Sequence, residues 1–414
     1  MALGRAAARA ALLTFVLVNA SRQARAQEPP APAAPSPNET PPAAPAPPAE
    51  EPKKGPSLAL SGYVEANYSY NFNRPSNGLT HYRGFDNRHD SITIANAVLD
   101  GSFDYQSVSG RLALQVGHTP RTYYLAEPSS PGAAGTGGTD ASYWQFIQQA
   151  YAGWRAPVGR GILLQMGIFL SPIGIESMAT KDAWNWSRSD LFFGLPFYHT
   201  ALRASYEISD HLAVSALVTN GWNSVVDNNA YKSISAQITY KIPDRLSASL
   251  LYFGGVERPR GAPEGTPWRH LFDAWAQVDA TRFLSLAAEG NAGFEVNRFG
   301  ISSWEALALY ARLRPREWLY IAGRFDRFWE QVASNNAGAA SPIFWPAGWV
   351  SSVTATVDVR PHENVSVRAE YRHDASERAM FFRGDVQGSG DAASPFVPTA
   401  AFQNTITLGA TAWF

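Results

Sequence analysis

The stretch FQNTITLGATAWF, residues 402–414, closes the chain and alternates without a break in period. Phe402, Ile406, Leu408, Ala410, Ala412 and Phe414 share one face; Gln403, Thr405, Thr407, Gly409 and Thr411 share the other, and Asn404 alone interrupts the apolar set. Side chains of a strand alternate across the sheet while the backbone bonds sideways, so such a segment suits a wall between lipid and water. It predicts an all-β protein, a transmembrane antiparallel up-and-down barrel.

Two further features agree. A strand ending on an aromatic residue, here Phe414, resembles the terminal signal read by the barrel assembly machinery of the outer membrane. At the other end, Arg5 and Arg9 precede an apolar run containing Leu12, Leu13, Phe15, Val16, Leu17 and Val18, followed by Ala24-Arg25-Ala26. This is the order of an export signal over residues 1–26, and the apolar run falls short of the roughly 20 residues of a spanning helix. Residues 27–57 are dominated by Pro, Ala and Glu; proline removes donors and fixes extended backbone, which predicts a polyproline-like periplasmic linker, either a spacer toward a partner or a leader with no binding role. The barrel is then expected over residues 58–414.

Composition excludes several classes. A net charge of −1 gives no reason to expect nucleic acid as a partner. The absence of cysteine removes disulfides, thiolate metal sites and cysteine nucleophiles. From Leu58 onward alternating ladders recur, near 92–105, 110–117, 143–155 and onward, and predict about sixteen strands. Seven short links alternate with eight long ones, among them 73–90, 118–142, 171–199 and 295–303. That parity puts both termini on one side. Short turns face the periplasm in such barrels, so the termini are expected there, and about sixteen strands leave room for an aqueous channel.

Charge decides which face looks inward. In Val365, Val367, Ala369 and Tyr371 against Ser366, Arg368, Glu370 and Arg372, exposing the arginines to lipid would cost roughly 2–4 kcal/mol each at mid-depth. The same argument turns Glu65, Arg111, Arg203, Glu207, Lys241, Asp273, Asp279, Glu289, Arg324 and Asp358 into the lumen, and leaves strand 304–313 ambiguous, because Glu305 and Arg312 lie on opposite faces. Tyr70, Phe72, Tyr105, Trp154, Tyr206, Tyr240, Tyr252, Trp304, Trp318, Trp413 and Phe414 fall near strand ends, as interfacial girdles do.

The link 171–199 is long and rich in aromatic residues, and the barrel mouth or a subunit interface is the only shelter for them. It is expected to fold inward as a constriction. Its Glu176, Asp182 and Asp190 would then oppose Arg324, Arg368 and Arg372 on the far wall and set a transverse field; the alternative is that these arginines pair with Glu370 and Asp358 and hold the wall together. Arg111 and Arg203 complete the expected pore lining. No catalytic constellation assembles: His211 and Ser215 stand about 13 Å apart along one strand. His81, Asp86, His89 and Asp90 read as a polar loop and not as a metal site, and no cofactor is expected.

The runs YVEANYSYNFNRPSNG (63–78), FDNRHDSITIANAVLD (85–100), NWSRSDLFFGLPFYHT (185–200) and TNGWNSVVDNNAYKS (219–233) resemble the OmpL-like beta-barrel porin family. The resemblance extends over 58–414, with Ala201 where the family more often has glycine. It implies a bacterial outer-membrane pore for small hydrophilic solutes and brings no catalytic residues. Two other readings stay open: a substrate-selective channel, and an envelope-tethering or adhesion protein anchored by its barrel. Expected partners are outer-membrane lipids, the assembly machinery and permeating solutes; a monomer and a homo-oligomer are equally compatible with the sequence.

Overall fold

The computed structural model describes residues 55–129 and 138–414. The export signal expected at 1–26 and nearly all of the linker at 27–57 lie outside the described residues. The first strand begins at Ser57, one residue before the expected boundary.

Among the described residues, sixteen antiparallel strands close into one barrel. They are β1 (Ser57–Asn71), β2 (Ser91–Tyr105), β3 (Val108–Val116), β4 (Ile147–Ala156), β5 (Ile162–Leu170), β6 (Tyr198–Glu207), β7 (Leu212–Thr219) and β8 (Ser233–Ile242). Then follow β9 (Leu246–Val256), β10 (Trp268–Asp279), β11 (Leu284–Asn297), β12 (Gly300–Arg316), β13 (Leu319–Gln331), β14 (Trp349–His362), β15 (Val365–Ser376) and β16 (Phe402–Trp413). Each pairs with its sequence neighbour, and β16 returns to β1 with Val64 opposite Ala412 and Tyr70 opposite Ile406. Gly62 and Phe414 exchange backbone hydrogen bonds of 3.2 and 3.0 Å at the seam. The decisive C-terminal stretch is thus the closing strand, and lipid meets no unpaired sheet edge there.

The faces follow the charge argument. On β15, Val367 is 49% exposed while Arg368 and Arg372 are 1% exposed, the inverse of a soluble protein's surface. Strand β12 resolves its ambiguity by turning Arg312 inward and Glu305 outward. Glu305 stands in register with Trp329, beside Arg327, whose guanidinium lies 5.0 and 4.3 Å from the Trp329 and Trp349 rings. An outward carboxylate level with these aromatics sits in the girdle, where a charge costs little.

Two expectations are corrected. Trp304 is no girdle residue: it faces inward and is buried among Phe253, Leu271 and Phe328. The long link expected at 295–303 is a tight hairpin, because β11 continues to Asn297 and β12 starts at Gly300. Polar residues within both strands had disguised their continuation.

Phe414 sits at the lipid-facing seam and is 68% exposed. Phe414→Asp is expected to lower the heat-modifiable, folded fraction severalfold while leaving the current through each assembled barrel unchanged; gel mobility without and with boiling, together with bilayer recording, checks both halves.

Candidate functional site

The link 171–197, between β5 and β6, lies inside the barrel and runs from β8 round to β1. Gln237 of β8 donates to the Pro172 carbonyl at 3.1 Å. Glu289 of β11 accepts the Ile175 N–H at 3.1 Å, and Gly174, at φ +87°, leaves the room that a Cβ 2.8 Å from that carboxylate would take. Glu65 of β1 accepts both the N–H and the hydroxyl of Thr180, at 2.5 and 2.7 Å, and that hydroxyl also meets Thr411 of β16 at 2.7 Å.

The segment 185–190 is held most firmly. Glu370 of β15 accepts the Trp186 and Ser187 N–H groups at 2.5 and 2.9 Å, and Asp326 of β13 accepts that of Asp190 at 2.5 Å. Guanidiniums grip the carbonyls of the same segment: Arg324 donates to Ser187 at 2.5 Å, Arg368 to Asn185 at 3.2 Å, and Arg372 to Arg188. Carboxylates thus take backbone donors and arginines take backbone acceptors, which the loop cannot satisfy for itself without regular structure. Within the loop Arg188 is a staple, donating to the carbonyls of Ser177, Met178 and Trp186 at 2.8, 2.6 and 2.5 Å. Ser189 caps the short helix Asp190–Phe193 by accepting the Phe192 N–H at 3.0 Å.

Apolar side chains seat the rest. Leu191 and Leu195 join Leu251, Phe253, Leu271, Trp304 and Phe328 on the inner wall. Phe192, Phe193 and Phe197 pack with Phe85 of the first long link. Trp186 lies against β16 at Gly409, where any Cβ would collide with its indole. The glycine in the decisive C-terminal strand is therefore the seat of a loop side chain.

The expected site residues divide into three groups. Glu176 pairs with Arg324 at 3.0 Å and Asp190 with Arg372 at 2.7 Å, while Arg368 pairs with Asp358 at 3.2 Å. The first two are direct contacts between loop carboxylates and buried wall arginines, ion pairs that fasten the loop in place of the field expected across a water-filled gap; the third joins β14 to β15 within the wall, as the alternative expected, and Glu370 works with the first two through the loop amides. Asp182 stands apart, about half exposed and bound to Lys181 at 2.9 Å. Arg111 chelates Asp100 at 2.9 and 3.1 Å, and Arg203 donates to Gln165 at 3.0 and 2.6 Å while stacking 4.3 Å from the Phe169 ring centroid; both line other parts of the wall. Sequence reasoning turned Glu65 and Glu289 inward but missed their part in holding the loop, and it missed the parts played by Asp326, Arg188, Gly409 and Thr356, whose hydroxyl accepts from the Asn185 amide at 2.7 Å. A lone inward carboxylate in a ladder of small residues was the available signal.

Among the described residues no cluster of three or more His, Asp or Glu could hold a metal ion. In the first long link His81 bonds the Met380 carbonyl at 2.7 Å, His89 accepts the Asn71 N–H at 2.9 Å, and Asp90 accepts from Tyr68 at 2.7 Å, so their polar atoms point to separate partners.

The family model described as "Putative beta-barrel porin-2, OmpL-like" matches residues 57–414. The chain belongs to this porin family. The porin's fold is also that of solved outer-membrane channels. An anion-selective porin from Comamonas acidovorans superimposes with TM-score 0.55 at 11% identity, covering 87% of this chain and 100% of that one. The channel DcaP of Acinetobacter baumannii gives 0.52 at 13% identity over 87% and 98%. OmpT of Vibrio cholerae in its trimer form gives 0.51 at 10% identity over 87% and 100%. No curated protein matches the chain in sequence. It is an outer-membrane barrel of bacterial type, a channel for small solutes.

Glu370→Ala would orphan two buried amides, at about 1–3 kcal/mol apiece. The variant is expected to expose Arg188, only 3% exposed in the intact protein, to trypsin. Glu370→Gln keeps an acceptor and should be cut more slowly; mass spectrometry of the fragments reads the difference.

Proposed function

We propose that this porin passes small hydrophilic solutes passively and that loop 171–197 sets its throat. The observation that carries the reading is the clamp on 185–190, where wall carboxylates and guanidiniums hold the loop's own backbone inside the lumen. A loop held at both donors and acceptors keeps one position under the push of permeating water and ions. Packing of Leu191 and Leu195 against the wall narrows the route and favours small permeants. The charged inner face argues for a wet interior over a mere anchor, which has no use for one. The chemistry on the lumen wall is that of binding and steering, and we read the porin as a channel and not an enzyme.

The N-terminal 26 residues act as an export signal, residues 27–57 form a periplasmic tether, and both termini face the periplasm. Lipids cover the apolar belt, and the assembly machinery reads Phe414.

Planar-bilayer recording tests the function. The refolded porin is expected to give small ohmic steps, and deletion of residues 176–190 to enlarge them severalfold; silence from both proteins would favour the anchor. A tag at Asn336 should be labelled on intact cells and one at Asp244, in a short turn, should not. The reverse pattern would invert the topology.

A further inference from the structure

The lumen arginines are of two kinds, and the second kind makes no ion pair with the loop. Arg324 and Arg372 are buried in ion pairs with the loop. Near the short-turn end of β12, β13 and β14, three others gather on one ring. The guanidinium carbons of Arg312, Arg314 and Arg360 lie 5.4, 5.6 and 4.7 Å from the centroid of Tyr320. Tyr320 stands opposite Asp358 in the sheet, and Asp358 opposite Arg368, so the group occupies one inward row.

Charge in this row does not balance. Asp358 serves Arg360 at 3.1 Å, Arg368 at 3.2 Å and the Ser366 hydroxyl at 2.6 Å. Among the described residues neither Arg312 nor Arg314 has a carboxylate within 4.0 Å. Arg312 and Arg314 therefore lack a direct carboxylate partner: Asp358 is taken by Arg360 and Arg368, and Asp279 stands two strands from Arg312, across Ser285. Arg312 rests on a second ring, Trp184 of the loop, 4.6 Å from its centroid. A guanidinium stacked on a ring spends its face and keeps its N–H edge for hydrogen bonding. Arg312, Tyr320 and Arg360 are partly exposed and Arg314 is exposed, so water and solutes reach them.

We infer that Arg312, Arg314 and Arg360, arrayed on Tyr320, form a subsite for small multivalent oxyanions, phosphate or carboxylate, on the channel wall. Such anions accept several N–H edges at once and relieve the mutual repulsion of the arginines. The inference rests on the channel reading for its purpose but not for its chemistry. Its contact with Trp184 places the subsite beside the throat, so an anion there meets the loop before or after the narrowest point.

The test uses the full-length refolded porin and Arg312→Gln/Arg314→Gln, with heat-modifiable mobility as the check on folding. Calorimetric titration in detergent micelles with inorganic phosphate, and separately with citrate, is expected to show saturable binding that weakens about tenfold in the variant. Response to one probe alone supports the subsite and names its class. In bilayers the reversal potential in a salt gradient should lean toward anions and move toward cations in the variant, with the shift shrinking as salt rises. Equal binding by both proteins, or none of either probe by the wild type, overturns the subsite even if the barrel conducts. A barrel that binds the anion through these arginines yet never conducts would overturn the channel reading and leave the subsite standing.

Discussion

Hydrocarbon offers a peptide N–H nothing to bond, and that constraint organises everything else in this protein. Each strand must spend its backbone on two neighbours, so sixteen strands form a cylinder with no free edge, sealed where Gly62 and Phe414 exchange bonds. Once the backbone is spent, side chains alone distinguish outside from inside. Alternation then delivers every second residue to lipid and the rest to the lumen, and charge energetics allows one assignment. Val367 and Tyr371 face out; Arg368 and Arg372 face in.

The lumen solves a related problem for a piece of irregular chain. Loop 171–197 has few internal ladders, and burying it exposes orphan amides and carbonyls that cost about 1–3 kcal/mol each when unpaired. The wall supplies the missing partners. Glu65, Glu289, Asp326 and Glu370 receive N–H groups from the loop, and Arg324, Arg368 and Arg372 donate to its carbonyls. Buried ion pairs gain little over apolar packing, but removing one partner from such a pair costs about 3–5 kcal/mol. Their effect here is placement: the loop can be moved only by breaking several at once. Arginines around Tyr320 that form no ion pair with the loop remain available to solutes.

The same residue type thus takes different roles according to what stands opposite it. Arg372 meets Asp190 and becomes a fastener, while Arg312 meets only aromatic faces and keeps a free edge. Glu305, on the wrong face for a lumen residue, is tolerated because it reaches the aromatic girdle beside Trp329.

The sequence by itself determined the barrel, a strand number of about sixteen and the inward or outward sense of nearly every ladder. Those properties rest on local alternation and on the cost of a charge in lipid, both of which can be read residue by residue. Relationships between distant segments were decided only by the tertiary structure. Nothing local to Gly409 marks it as the seat of Trp186, and nothing near Asp326 says that its carboxylate will meet the Asp190 amide. The inward turn of Arg324, Arg368 and Arg372 was legible, but whether they faced water or the loop depended on how deeply 171–197 descends. That depth is set by the fit of a whole loop into a closed cylinder, a sum over many contacts between segments far apart in the chain, and no single stretch carries it.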